Sequence, residues 1–270
     1  PFYLDEADTR MELQRVFDLC HGCRLCFKFC PSFPTLFSYI DTHDDQDAGR
    51  MTPAQQDHVA DECFQCKLCY VNCPYIPGQS EWELDFPRLM LRADAMRHTN
   101  DQVSLRDKVT TNVMGRTDLI GKVATTTAPL MNKMMGAKPG SLIRKAIEVT
   151  SGVSSERVLP PFAKQRFTTW FNRRPKLKLG KRQGRVALFP TCLVEYQAPE
   201  VGHDLIKVYE RNGIECTLAD TTQCCGAPFL HSGDIDNFTK IAEKNVKALA
   251  NTERKGNDIV VPQPTCGYVL

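Results

Sequence analysis

Twelve residues constrain this chain more than any other stretch: Cys20-His21-Gly22-Cys23-Arg24-Leu25-Cys26-Phe27-Lys28-Phe29-Cys30-Pro31. A second copy of the pattern runs from Cys63 to Pro74, and both read C-x2-C-x2-C-x3-C-P. Each cysteine of the copy lies 43 residues after its counterpart: 20 with 63, 23 with 66, 26 with 69 and 30 with 73. Three thiols this closely spaced can converge on one centre, whereas a fourth followed at once by proline is directed away from it.

Disulfides and zinc are the alternatives, since C-x2-C is also a zinc spacing. Zinc sites close with four ligands and rarely repeat as a triple plus Cys-Pro. The pattern is that of paired [4Fe-4S] clusters, in which the last cysteine of each run serves the other cluster. The spacing thus predicts one cluster held by Cys20, Cys23, Cys26 and Cys73, and a second held by Cys63, Cys66, Cys69 and Cys30. His21, Arg24, Lys28, Gln65 and Lys67 lie inside the loops, where charge and hydrogen bonding can tune a cluster. Gly22 would let the backbone approach one closely.

Thirteen cysteines among 270 residues is the compositional outlier. Odd in number and grouped as metal ligands, they point to a reducing compartment and not to a secreted disulfide scaffold. A net charge of +2 gives no whole-molecule steering toward nucleic acid, and no nucleic-acid partner is expected. The N-terminus, Pro1-Phe2-Tyr3-Leu4-Asp5-Glu6, is acidic where a signal peptide is basic. No run approaches the roughly 18 apolar residues of a membrane span. The expected location is cytoplasmic, or peripheral on the inner face of the cell membrane. A start without Met and a stop at Leu270, inside a motif, are expected of a piece of a longer protein.

Along the chain, a helix is expected over residues 9–19, leading into the first loop. Thr52-Pro53 reads as an N-cap followed by proline at the first helical position. Ser80 and Glu83 read as a capping box for a helix to His98, with Phe86, Leu89, Met90 and Ala93 on its packed face. Residues 101–150 have helical periodicity in Val103, Leu105, Val109, Val113, Leu119, Ile120 and Val123, and Met131, Met134 and Met135 are expected to fill core. From Arg157 to Val194 no acidic residue occurs. There Phe167, Trp170, Phe171, Arg173, Arg174, Lys176 and Lys178 form a candidate membrane or partner surface, the other reading being a linker.

Beyond Arg185 strands alternate with helices: strands over residues 186–189, 214–218 and 259–261, and helices from Pro199 to Asn212 and from Ser232 to about Thr252. Such alternation predicts a parallel sheet with its site beyond the carboxyl ends of the strands. Cys192, Cys224, Cys225 and Cys266 fall there, a candidate third metal site, while Cys216 reads as a buried apolar residue inside a strand.

Cys192, Cys224-Cys225-Gly226 and Cys266 together resemble the cysteine-rich CCG domain of heterodisulfide reductases and their relatives. Val269 stands where that motif has its final cysteine, so the noncubane cluster of the complete motif gives way to a further Fe–S cluster or zinc on four thiolates. Paired cluster loops followed by this domain resemble the D subunit of heterodisulfide reductase, the iron–sulfur subunit of glycolate oxidase and, in particular, the C subunit of anaerobic glycerol-3-phosphate dehydrogenase. That resemblance extends through Thr117-Asp118-Leu119-Ile120-Gly121, Leu159-Pro160 and Asp204-Leu205-Ile206-Lys207-Val208. The implied fold class is α+β: an α-helical ferredoxin-like module with two [4Fe-4S] clusters (residues 1–100), a helical and basic connecting segment (101–184) and an incomplete α/β CCG domain (185–270). The implied function is an electron-transfer subunit in a hetero-oligomer, relaying electrons between a flavoprotein dehydrogenase subunit and a membrane quinone or other acceptor. A catalytic heterodisulfide-type subunit and a soluble donor to a non-haem iron reductase are the rivals. No Ser/His/Asp arrangement, GxGxxG or P-loop occurs, so no catalytic residue is assigned.

Overall fold

The chain enters its first cysteine motif through a helix longer than the sequence suggests. In the computed structural model, which describes residues 2–175, 183–220 and 224–270, α1 spans Glu6–Cys23. Asp5 caps it by accepting the Asp8 N–H at 2.8 Å, and Leu13, Val16 and Phe17 are buried at helical spacing. The expected stop at residue 19 is therefore corrected. The helix carries on through Cys20 and Cys23 because its terminator is Arg24, left-handed at φ 53°, whose N–H returns to the Cys20 carbonyl at 2.8 Å.

After Pro31 come α2 (Ser32–Asp41), a 3-10 turn at Ala48–Arg50, α3 (Pro53–Asp61), α4 (Leu68–Asn72) and α5 (Phe86–Thr99). Thr52 caps α3, and Gln55 completes a capping box with it. The start of α5 is Asp85, which accepts the Arg88 N–H at 3.0 Å, not Ser80. Glu83 has φ 44°, outside helical backbone, so the expected Ser80–Glu83 box cannot form. Phe17, Phe33, Leu36, Phe37, Phe86 and Met90 make the core shared by these helices, and Cys20, Cys26, Cys30, Cys63 and Cys73 pack against it. The cysteines are thus seated on a rigid apolar floor.

By internal packing the chain forms two units, Pro1–Val103 with Leu230–Ile235, and Ser104–Phe229 with Asp236–Leu270. The second opens with α6 (Leu105–Gly115), α7 (Thr117–Thr126), α8 (Ala128–Met135) and α9 (Leu142–Ser151), followed by α10 (Phe167–Arg173). Then come β1 (Gly184–Leu188), α11 (Cys192–Tyr196), α12 (Pro199–Arg211), β2 (Ile214–Leu218), α13 (Ala227–His231), α14 (Ile235–Arg254), β3 (Asp258–Val260) and α15 (Pro264–Val269). The strands form a parallel sheet in the order β2-β1-β3, with Val186 opposite both Cys216 and Asp258. The α14 helix starts after Gly233, whose φ of 77° bars a helix from Ser232.

Two expectations are corrected here. The apolar stripe of α6 and α7 and the methionines do not fill core: Leu105, Val109, Val113, Leu119, Val123 and Met134 are exposed. Phe167 and Phe171 do not present their rings outward. Both are buried against Leu188, Val194 and Ile206, because α10 closes one face of the sheet. Trp170 lies half-buried on His203, and Arg174 turns inward over the Phe171 ring (3.7 Å) to pair with Glu210 (2.7 Å). Arg173 is exposed, while Lys176 and Lys178 lie outside the described residues.

Candidate metal centres

Cys20, Cys23, Cys26 and Cys73 line one cavity, together with Leu19, Leu25, Phe33 and Tyr75. Cys20 and Cys23 come from the last turn of α1, Cys26 from the turn after it, and Cys73 from the end of α4 in the second motif. Burial pushes the Cys20 thiol well up, with the Cys26 and Cys73 sulfurs adding to it. Cys26 is pushed to about 11 by burial first and then by Cys73 and Cys23. The Tyr75 N–H donates to the Cys73 sulfur at 3.4 Å.

Cys63, Cys66, Cys69 and Cys30 make the corresponding group. Burial pushes Cys63 to about 11 against the opposing Gln65 backbone N–H, and Cys30 and Cys66 raise it further. Cys69, the most buried of the four, is pushed up by burial and then by Cys26, Cys63, Cys30 and Cys66. Its response to Cys26 means that the two groups adjoin. Gln65 reaches the Cys63 sulfur with Nε2 at 3.6 Å while donating to the Pro87 carbonyl at 3.2 Å. Arg24 and Lys67, equivalent in the two copies, are both left-handed, with φ 53° and 62°. The copies thus share a backbone bend as well as a spacing. His21 is buried and hydrogen-bonded to Asp41 at 2.9 Å, while Lys28 is exposed. No protein atom crowds the Cβ position of Gly22.

The third group forms where parallel strands deliver it. Cys192 opens α11 just beyond β1, Cys224 and Cys225 follow β2, and Cys266 sits in α15 after β3. Thr191 caps α11 through the Val194 N–H and so fixes Cys192. Cys225 and Cys266 stand 3.3 Å apart, sulfur to sulfur. The Cys224 thiol, pushed up by its hydrogen bond with Cys225 and by burial, neighbours Cys192. Val269 packs against the buried cluster of Ala187, Phe189, Cys224, Cys225 and Cys266. Cys216 is buried within β2 among apolar side chains.

Sequence reasoning assigned no role to the groups that hold this third set. Asp118, in α7, accepts the Cys224 N–H at 2.9 Å and the Tyr196 hydroxyl at 3.3 Å. Burial raises its carboxyl above the ordinary value. Asn245 donates to the Cys224 carbonyl at 2.9 Å, and Gln263 accepts from Cys266 at 3.6 Å.

Among the described residues, no three His, Cys, Asp or Glu side chains converge as a single metal ion would require. Cys20, Cys23, Cys26 and Cys73 stand instead around a space, and soft sulfur donors of this kind are the donor chemistry that Fe–S clusters need. Among the described residues, no helix is long and apolar enough to cross a membrane.

Residues 12–74 match the 4Fe-4S dicluster domain family, and residues 186–270 match the cysteine-rich CCG domain family. The chain is thus an iron–sulfur protein that couples a 4Fe-4S dicluster domain to a CCG domain. It is homologous to the C subunit of anaerobic glycerol-3-phosphate dehydrogenase from Escherichia coli (strain K12), at 31% identity over 159 residues, or 58% of this chain and 39% of that protein. It is also homologous to the B subunit of fumarate reductase (CoM/CoB) from Methanothermobacter marburgensis, at 36% over 94 residues, covering 34% of this chain and 18% of that protein. Lactate utilization protein A of Bacillus pumilus is 34% identical over 82 residues, covering 30% of this chain and 33% of that protein. The matched stretches span no more than about two fifths of these relatives. No solved structure matches.

Proposed function

We infer that this chain is the iron–sulfur electron-transfer part of an oxidoreductase complex, working between a flavoprotein dehydrogenase subunit and a quinone or other acceptor. Two [4Fe-4S] clusters would supply one-electron steps at modest reorganisation. In this reading Cys20, Cys23, Cys26 and Cys73 hold one, and Cys63, Cys66, Cys69 and Cys30 the other. The observation that carries it is Cys73 lining the cavity of the first motif's three cysteines, 43 residues from its own counterpart Cys30. The apolar floor backs six of the eight thiols, Gln65 and the Tyr75 N–H stabilise negative charge on sulfur, and the adjoining thiol sets keep the path between centres short. Cys192, Cys224, Cys225 and Cys266 are assigned a further metal, as an Fe–S cluster or zinc. The three-part division at residues 100 and 184 belongs to the same reading. The names of the relatives, one from a dehydrogenase and one from a reductase, favour a hetero-oligomer.

The crossed assignment is tested with Cys73→Ala in anaerobically purified protein. The expected result is loss of the cluster on Cys20, Cys23 and Cys26, with that of the second motif kept, as read by electron paramagnetic resonance. Loss confined to the second motif would refute it.

A further inference from the structure

Beside the third thiol set, the second unit encloses a cavity of about 310 Å³ for which the electron relay has no use. That volume falls at the lower end of small-molecule sites. Of the four cysteines only Cys224 lines it, while Cys225 lines a different cavity together with Val269. Cys224 and Phe229 are buried, at 6% and 2% exposure, and so form its deep end. The Phe229 ring is held there by α6. A Cβ at Gly115 would lie 2.2 Å from that ring, so helix and ring touch directly.

One wall is a single side of α14. Asn237, Lys240, Ile241 and Lys244 all line the cavity, and residues three, four and seven apart lie together on a helix. Arg116, at the junction of α6 and α7, adds a third cation. Against these three stands one carboxylate, Asp118, which is already engaged by the Cys224 N–H at 2.9 Å and the Tyr196 hydroxyl at 3.3 Å. Among the described residues, none of Arg116, Lys240 and Lys244 has an ion-pair partner. Lys207 and Lys255 of the same unit, by contrast, pair with Asp204 at 2.9 Å and Asp220 at 2.5 Å. Like charges four apart on a helix repel, and here no side chain of the fold offsets the repulsion between Lys240 and Lys244. An anion seated between them would. The three cations are exposed while Phe229 and Cys224 are buried, so charge stands at the mouth and apolar surface at the bottom.

We propose that this cavity binds a small organic dianion, a dicarboxylate or a phosphomonoester. Its charge is met by Arg116, Lys240 and Lys244, and its carbon atoms lie against Phe229, toward Cys224. Three cations against one engaged carboxylate favour a doubly charged ligand over a singly charged one. The site goes beyond the electron relay and does not rest on it, because anion binding is measured without electron transfer.

The test is isothermal titration calorimetry of the full chain with malonate, with methyl phosphate and with malonamide, the uncharged isostere of malonate. Far-UV circular dichroism of every variant checks that it is folded. Malonate or methyl phosphate should bind, the tighter of the two naming the head group, and added salt should weaken binding. Malonamide should not bind. Lys240→Gln and Lys244→Gln, at exposed positions where folding is not at stake, should each weaken binding roughly ten-fold, and Lys240→Glu should abolish it. Lys247→Gln, on the same helix but outside the cavity, should leave it unchanged. The proposal is overturned if neither anion binds, or if malonamide binds as well as malonate. It is overturned equally if Lys247→Gln weakens binding as much as Lys240→Gln does, which would show only attraction to surface charge. Anions that bind as expected to a chain lacking iron on its first eight cysteines count against the relay and leave this site standing.

Discussion

Asp118 governs the third thiol set without belonging to it. Its half-buried carboxylate accepts the Cys224 N–H and the Tyr196 hydroxyl, so it fixes the chain at the Cys-Cys pair. Asp118→Ala should leave that N–H without an acceptor and cost about 1–3 kcal/mol, read by urea denaturation, and should lower the metal retained by the CCG domain. Gln65 has the opposite place, at the sulfur itself. Hydrogen bonds to sulfur favour the more negative, reduced state of a cluster, so Gln65→Ala should move the potential of the second-motif cluster downward, as measured by redox titration. The two dicluster loops were legible in the sequence because each spacing is local. Asp118 was not, because it lies 106 residues from the N–H it holds, and only folding brings the two together.

At the scale of elements, α10 is capped from outside itself. Arg166 offers its first turn no side-chain oxygen, and Glu195 of α11 accepts both the Thr168 N–H (2.9 Å) and its hydroxyl (2.7 Å). Glu195→Ala should cost about 1–3 kcal/mol, measured by thermal or urea unfolding, since both donors are then left in a buried place. Burial raises the Glu195 carboxyl above its ordinary value, with the Thr168 bonds opposing. The folded protein therefore binds that proton more tightly than the unfolded chain does. The group's contribution to stability is full below the ordinary carboxylate range and declines as pH rises through its raised value. Glu195→Gln should remove this slope from the pH dependence while costing less than alanine. The strands of the CCG domain and the helix from Pro199 were readable within about two residues, because apolar runs bounded by Gly213 and Pro199 punctuate the sequence. The start of α14 was missed by three, and the short helices α11, α13 and α15 were not read. The stripes of α6–α9 were readable as helix but not as surface. Periodicity reports that a face is apolar, and what covers it is settled by the neighbours.

For the whole molecule, the first expectation concerns metal content. Anaerobically purified protein should carry about eight irons on the two ferredoxin-type sets, with more if the CCG thiols bind a cluster, by metal analysis. Zinc in place of iron at the first eight cysteines would refute the electron-relay reading. The sharing of one cavity by Cys20, Cys23, Cys26 and Cys73 also bears on biosynthesis. While the chain is being made, its first motif leaves the ribosome lacking one of the sulfurs that complete its cavity, and that sulfur is encoded near the end of the second motif. Iron delivered to the nascent chain would therefore meet an incomplete set until residue 73 had emerged. On the proposed crossed assignment the second set is complete once Cys69 has emerged and the first only at Cys73, so the earlier motif would mature last, and truncation before Cys69 should yield a chain with neither centre complete.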